Sequence, residues 1–316
     1  MENFKFGLVE IEGMEPVLFC AEPQRSITDA DAIFSYSDIE KEYGEDALAL
    51  KDAYIASEVE RTKKLGVMFD NNSTYRVLSI KYSRVERDGE RVRIPSVVLA
   101  PTNFFDFVGF KAISDEMKHE EYRCSVLNGT DIDVIPMPVT LGTNTFVLTS
   151  DNNIILSARS GRNYPDKGVL NGFHVSVAEG MLRPNDNANP FNSVIRGLYE
   201  ELFIDESLYD TGNIRLLGVW FDSVRFQFNA TFVVDVGASF DSINRMRKLA
   251  PDSRENDHII KLPVDPKVIA SSITGNLCSG EDYYVPVSNH VRASLLTLMY
   301  HYFSLDEIGI LLGERG

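Results

Sequence analysis

The chain has 316 residues, of which 44% are hydrophobic and 25% are charged, and its formal net charge is -16. This composition is that of an ordinary globular protein, long enough for about two domains of ~150 residues each. The acidic balance argues against binding to nucleic acid or to an anionic membrane, because both partners need clustered Lys and Arg side chains.

The first part of the chain mixes helix with strand. Apolar residues interleaved with charge predict a helix over 45–64, and alternating patterns predict strands over 75–82 and 92–99. An Asp-Gly pair between the two strands is a hairpin turn signal. Pro101 is predicted to open a short helix over 101–108, because proline suits the first helical position.

A polar stretch followed by Pro136 and Pro138 marks the predicted division of the chain. We predict an N-terminal α+β domain over 1–135, with no assigned role, and a second domain over 136–316. The N-terminal domain would add specificity or a dimer surface, so a homodimer is among the expectations.

The second part alternates strands with helices. The periodicity predicts strands over 143–149, 154–157, 173–177, 214–220, 226–235 and 258–262, and helices over 189–204, 291–303 and 305–312. The first two of these strands are joined so closely that they should form a hairpin.

The cellular compartment is predicted from the absence of cysteine motifs, a signal peptide and a long apolar run in the sequence. The three cysteines lie far apart and form no CxxC pair, so we expect reduced thiols rather than disulfides or a zinc site. The first residues do not resemble a signal peptide, and no apolar run is long enough to predict a membrane span. We therefore expect a cytoplasmic protein.

The helix over 189–204 carries the chemistry. Asn189 is a good N-cap residue and Pro190 suits the first turn, while one face of the helix is apolar. The other side holds Arg196, Gly197, Glu200 and Glu201. Neighbouring carboxylates suit Mg²⁺, which takes oxygen ligands and leaves positions open for phosphate oxygens. On an ordinary surface helix, the same residues would form a solvated face with an ion pair worth about 0.2–0.5 kcal/mol.

The segment around this helix resembles the Nudix family. The signature of that family is a glycine and then a glutamate, followed by Arg-Glu-apolar-x-Glu-Glu-x-Gly-apolar on a loop–helix–loop. The matching residues here are Gly180, Asp186 as the acidic residue of the loop, Arg196, Leu198, Glu200, Glu201 and Ile204. The resemblance covers about 160 residues of the C-terminal half of the chain. It implies a C-terminal α/β/α sandwich with a mixed sheet, and hence an α+β chain.

The chain departs from the signature at three points. Gly197 stands where the family has the first glutamate, and Phe203 stands where it has a glycine. The loop between Asp186 and Arg196 is also longer, with residues 187–195 making nine instead of seven. Glycine within a helix makes the helix less stable than alanine does, by about 1 kcal/mol. A close approach of backbone, water or ligand would explain Gly197, and a contact with a neighbouring element would explain it equally well.

The resemblance implies hydrolysis of a phosphoanhydride in a nucleoside diphosphate linked to another group, as in ADP-ribose, dinucleotides and nucleotide sugars. Glu200, Glu201 and the carbonyl of Gly180 would hold Mg²⁺ or Mn²⁺, and Arg196 would orient the glutamates. A bound divalent cation reverses the local field, so a small anionic ligand is compatible with an acidic protein.

Two further roles need other residues. Gly197 cannot act as a base, so Glu255, in the acidic stretch before His258, is the candidate base or additional metal ligand. The phosphate contacts would come from three cations of the preceding loop, because arginine binds phosphate through two hydrogen bonds. These cations are Arg159, Arg162 and Lys167.

Two other functions stay open at this point. In one, a Nudix fold that has lost its water-activating glutamate senses a nucleotide as a regulatory module, and Gly197 and Phe203 favour this reading. In the other, the chain is an acidic interaction protein with an accidental motif. The retained Arg196 and glutamate pair favour an enzyme, because a pure binding module needs no paired carboxylates.

Overall fold

The computed structural model describes most of the chain, with gaps. The described residues are 7–9, 17–19, 32–66, 69–87, 90–114, 121–122, 132, 135, 137–159, 173–179, 182–222, 225–254, 256–275, 287–303 and 305–312. Within them, none of the helices is both long and apolar enough to cross a membrane.

A mixed sheet of twelve strands runs through the described part of the chain. The strands are β1 (Gly7–Val9), β2 (Val17–Phe19), β3 (Ile33–Tyr36), β4 (Ser73–Arg87), β5 (Glu90–Asn103), β6 (Thr140–Leu148), β7 (Asn153–Arg159), β8 (His174–Val175), β9 (Val177–Glu179), β10 (Arg215–Asp222), β11 (Gln227–Asp235) and β12 (Asn256–Pro263). The main path is β1-β2-β10-β11-β6-β4-β5-β3. Outside this path, β7 and β9 each pair with β6, and β8 and β12 each pair with β7. The pairs β6–β11 and β3–β5 are parallel, and the other pairs are antiparallel.

Helices cover both faces of this sheet. They are α1 (Glu45–Leu65), α2 (Phe104–Ile113), α3 (Pro190–Leu202), α4 (Phe240–Met246), α5 (Pro266–Thr274), α6 (Asn289–Tyr302) and α7 (Leu305–Leu312). Helices combined with a mixed sheet confirm the predicted α+β class.

The two faces of β6 show why the layers form. Leu141 and Val147 pack into the core shared with α3, whereas Phe146 and Leu148 pack into the core shared with α5 and α6. Successive side chains of a strand point to opposite faces, so a strand buried on both sides must be apolar on both. The sheet therefore lies between α3 on one side and the C-terminal helices on the other.

Most predicted elements lie where the periodicity placed them, but two predictions need correction. Pro101 does not open a helix: it lies within β5, beyond the residues that pair with β3, and α2 begins at Phe104. The side chain of Asn103 caps this helix by accepting from Asp106 N at 2.9 Å. The strand predicted over 173–177 is divided at Ser176 into β8, which pairs with β7, and β9, which pairs with β6.

The predicted domain division at 135 and 136 stays a prediction. The sheet crosses this position, because Arg76 of β4 pairs with Thr140 of β6. The larger core also contains residues from both sides of it, among them Val77, Leu99 and Leu141.

Leu198 should be one of the residues on which the packing of α3 depends. Its side chain is fully buried, and Leu→Ala at such sites costs about 2–5 kcal/mol of unfolding free energy. Leu249 is 68% exposed, so the same substitution there should change stability by about 0.5 kcal/mol or less. Urea unfolding followed by the fluorescence of Trp220, the single tryptophan, measures both. Equal losses for the two variants would contradict the packing described here.

Candidate functional site

The site is built on α3. The side chain of Asn189 accepts a hydrogen bond from Phe191 N at 3.0 Å, and Pro190 occupies the first turn, as the sequence predicted. The helix ends at Leu202 because the next residue, Phe203, adopts the left-handed conformation with φ 59° and ψ 34°. Phe203 N and Ile204 N then close the helix on the carbonyls of Tyr199 and Leu198.

A buried ion pair joins the helix to the loop before it. Arg196 donates from Nε and Nη2 to the two oxygens of Asp186, both at 2.9 Å. The Asp186 side chain is 2% exposed and that of Arg196 is 11% exposed. Asp186 also accepts from the backbone N of Arg183 at 2.7 Å. This bidentate geometry fixes the loop against the helix.

Glu200 completes the network. Its Oε2 accepts from Arg196 Nη1 at 3.0 Å and from Arg183 Nη1 at 3.1 Å. Among the residues that the structure describes, no hydrogen-bond donor reaches its other oxygen, Oε1. The side chain is 22% exposed. The two arginines thus orient the carboxylate through one of its oxygens.

Glu201 has different surroundings from Glu200. Its side chain is buried, and its Oε2 accepts from Asn256 Nδ2 at 3.3 Å. Gly197, one turn earlier, is also buried, and one turn before it Ser193 Oγ lies 3.2 Å from Thr143 Oγ1 of β6. The side of α3 that carries Gly197 and Glu201 therefore faces the sheet.

That finding corrects the prediction that Arg196, Gly197, Glu200 and Glu201 share one side of the helix opposite the core. The reason is that the face of α3 buried against the sheet is wider than the apolar stripe, since it also takes in Ser193, Gly197 and Glu201. That both carboxylates reach one metal ion stays a prediction.

Asp252 brings another carboxylate to Glu200. Its backbone N donates to the carbonyl of Glu200 at 2.8 Å, which satisfies one of the carbonyls left free at the helix end. Burial raises the pKa of Asp252, and the charge of Glu200 raises it further, while Arg183 and Arg196 act in the opposite direction. Asp252 and Glu200 thus bring two carboxylates close together beside Arg183 and Arg196.

Several predicted residues lie outside the described part of the chain. Gly180, Arg162, Lys167 and Glu255 are not among the described residues. Arg159 ends β7, where its backbone pairs with Asn256, but its side chain is outside what is described. Glu255 is bonded directly to Asn256, the residue whose side chain reaches Glu201.

Arg183 and Asn256 were missed by sequence reasoning. Arg183 lies in the loop before α3, and Asn256 lies in β12, next to Glu255. Neither has a sequence signal, because each reaches a glutamate through tertiary packing rather than through spacing along the helix. Within the described ranges, no group of three or more His, Cys, Asp or Glu side chains is arranged to hold a metal ion.

Comparison with known proteins adds little to this geometry. No family model matches the chain, and no curated protein matches it. Among solved structures, the crystal structure of DR0079 from Deinococcus radiodurans is similar over 50% of this chain and 81% of that chain. The two share 16% sequence identity with a TM-score of 0.33, a likeness too low to support an argument about fold or function.

The conformation of Phe203 predicts an unusual order of stability. Phe203→Gly and Phe203→Ala both remove the ring that lies 5.4 Å from the ring of Tyr199. Only glycine enters the left-handed region without strain, so Phe203→Gly should be more stable than Phe203→Ala by about 1 kcal/mol. At Tyr199, which lies inside the helix, Tyr199→Ala should instead be more stable than Tyr199→Gly by about 1 kcal/mol. Urea unfolding of the four variants would refute the assignment if alanine were better at both positions.

The raised pKa of Asp252 predicts that removing its charge stabilises the protein in a pH-dependent way. Its folded pKa is raised, so ionising it costs folding free energy once the pH rises above its ordinary value of 3.8. Asp252→Asn should therefore be more stable than the natural chain at pH 7, by a margin that shrinks as the pH falls towards 4. Asp151 is the control of opposite sign, because hydrogen bonds, first from Thr149 and then from Phe240, lower its pKa. Asp151→Asn should lose stability at pH 7, and the same sign for both variants would refute the account.

Proposed function

We propose that the chain is a metal-dependent hydrolase of the Nudix type, which cleaves a phosphoanhydride in a nucleoside diphosphate linked to another group. One observation carries the proposal: the guanidinium of Arg196 binds Asp186 and Glu200 together and leaves Glu200 Oε1 without a described donor. These residues are the arginine, the loop acid and a glutamate of the sequence signature.

The backbone after the helix supports the same assignment. Phe203 occupies the signature position that the family fills with glycine, and its φ of 59° is the conformation for which glycine is suited. The departure at this position therefore changes the side chain and not the path of the backbone.

The side chains assigned to the ion suit a hard divalent cation, because carboxylates offer oxygen ligands. Burial is the larger cause of the raised pKa of Asp252, and Asp252 also lies close enough to Glu200 for the charge of Glu200 to raise it. When bound, Mg²⁺ or Mn²⁺ would neutralise the charge that develops on the phosphate oxygens. Glu200 Oε1 and Glu201 would hold it, together with the predicted carbonyl of Gly180.

The residues around the glutamates have separate tasks. Arg196, held by Asp186, sets the rotamer of Glu200. Asn256 sets that of Glu201. Activation of water remains assigned to Glu255, adjacent to Asn256, and the phosphate contacts to Arg159, Arg162 and Lys167. The proposal also includes a small nucleotide-type ligand, no nucleic-acid partner, a cytoplasmic location and a homodimer.

A regulatory nucleotide-binding module is the second candidate. The observation that favours it is Gly197, which is buried and offers no carboxylate at the position where the family has its water-activating glutamate. Such a module would bind the same nucleotides in the same site without turning them over.

Turnover of ADP-ribose, a dinucleoside diphosphate and a nucleotide sugar tests the proposal. Release of the nucleoside monophosphate is followed by chromatography at about 5 mM Mg²⁺, with and without excess chelator. Glu200→Gln and Glu201→Gln should each lower the rate by on the order of 100-fold or more, because each removes a charged ligand of the ion. Glu40→Gln, at an exposed position of the same charge, should leave the rate unchanged.

The outcomes separate the candidates. Metal-dependent release that survives both glutamine variants would refute the assigned residues. Tight nucleotide binding in calorimetry, with no release from any of the three compounds, would select the regulatory module. Absence of both binding and release would favour the acidic interaction protein.

A further inference from the structure

The start of β4, in the N-terminal part of the chain, contacts the loop before α3. Thr74 Oγ1 donates to the carbonyl of Leu182, 108 positions later, at 2.8 Å. The hydroxyl of Tyr75 donates to the carbonyl of Pro184 at 3.3 Å. Both side chains are buried. Since Leu182 and Pro184 are the neighbours of Arg183, the two hydroxyls hold the backbone immediately before and after this arginine.

The two contacts differ in how much depends on them. Leu182 is fully buried, and a buried carbonyl needs a hydrogen-bond donor from the protein, which Thr74 supplies. The carbonyl of Pro184 also accepts from Asn187 N at 3.1 Å, so it keeps a donor without Tyr75. Consecutive side chains of a strand point to opposite faces, so the loop is held from both faces of β4, and more firmly by Thr74.

The loop carries the groups that orient Glu200. The backbone N of Arg183 donates to Asp186, which holds Arg196, and the side chain of Arg183 donates to Glu200 Oε2. The Arg183 side chain is 44% exposed, and an ion pair this exposed fixes a geometry only weakly by itself. The position of the loop backbone over 182–184 therefore determines whether Arg183 and Asp186 reach their partners.

Aromatic rings of β3 add contacts around the same segment. The ring of Phe34 lies edge-on to that of Phe191, in the first turn of α3, with their centroids 6.3 Å apart. The ring of Tyr36 lies edge-on to that of Tyr75 at 5.9 Å. Ring pairs in this geometry are favourable beyond the area that they bury. The N-terminal part of the chain thus contacts the loop and the start of the helix that follows it.

We propose that β3 and β4 position the loop over 182–186 for the hydrolase, with Thr74 and Tyr75 as positioning residues. They hold the backbone around Arg183, so that Arg183 and Asp186 fix the rotamer of Glu200, directly and through Arg196. This gives the N-terminal part of the chain a role in the site. The effect on turnover rests on the proposed function, whereas the effect on the loop does not.

Hydrogen exchange followed by NMR on the full chain tests the effect on the loop. The amides of Arg183 and Asp186 report it, since each forms a hydrogen bond within the loop. Thr74→Val should speed exchange of both at least about 10-fold, and leave that of the Leu198 amide, inside α3, within about 2-fold of its natural rate. Tyr75→Phe should act in the same direction but less strongly. Thr74→Ser, which keeps the hydroxyl, should restore the natural rates.

Thr62→Val is the matched control. Thr62 is also a buried threonine of the N-terminal part, and its hydroxyl donates to the carbonyl of Glu58 at 2.7 Å. Its replacement should leave the exchange of the Arg183 and Asp186 amides unchanged. Equal acceleration at Leu198 and in the loop, or unchanged loop amides in the Thr74→Val chain, would overturn the proposal.

Turnover of ADP-ribose tests the effect on the site. Thr74→Val should raise the Mg²⁺ concentration needed for half-maximal rate at least about 3-fold, because the loop acts on Glu200, a proposed ligand of the ion. Thr62→Val should leave that concentration unchanged. The natural Mg²⁺ dependence in the Thr74→Val chain would overturn the positioning role. Absence of turnover in every chain, with faster exchange in the loop, would refute the hydrolase and still support the hold of β4 on the loop.

Discussion

The ion pair between Asp186 and Arg196 is the constraint on which the site depends. A buried pair of this kind adds little net stability, since the attraction is offset by the loss of hydration of both charges. Its effect is geometric: two parallel hydrogen bonds fix the loop before α3 and the rotamer of the arginine. The third donor of Arg196 then determines which oxygen of Glu200 is held, and so which oxygen can meet a ligand.

The packing of α3 on the sheet imposes a second constraint, and it divides the glutamate pair. Glu200 lies among charged groups near the surface, whereas Glu201 is buried towards β6 and β12. The two carboxylates therefore differ in electrostatic environment although they are adjacent in sequence. An ion shared by both would lie at the border between the charged loops and the sheet, where water is partly excluded and electrostatic interactions are stronger.

Backbone conformation and residue type give separate information at the end of α3. Phe203 keeps a left-handed backbone without the glycine that suits it, and Gly197 lacks a carboxylate within an otherwise regular helix. Phe203 therefore ends the helix as a glycine would at this position. Under the proposed hydrolase, Gly197 leaves the activation of water to another residue, whereas regulatory binding would not need that residue.

The sequence by itself determined the α+β class, the limits of α3 to within two residues and the Arg196–Glu200 contact. All three follow from local rules: hydrophobic period, an N-cap followed by proline, and spacing along one helix. Tertiary structure alone decided that Arg183, Asp252 and Asn256 meet the glutamates, and that Glu201 is buried. It also decided that Pro101 belongs to a strand, since pairing with β4 outweighs the local preference. Contacts between elements distant along the chain depend on how sheet and helices pack, and no local pattern encodes that packing.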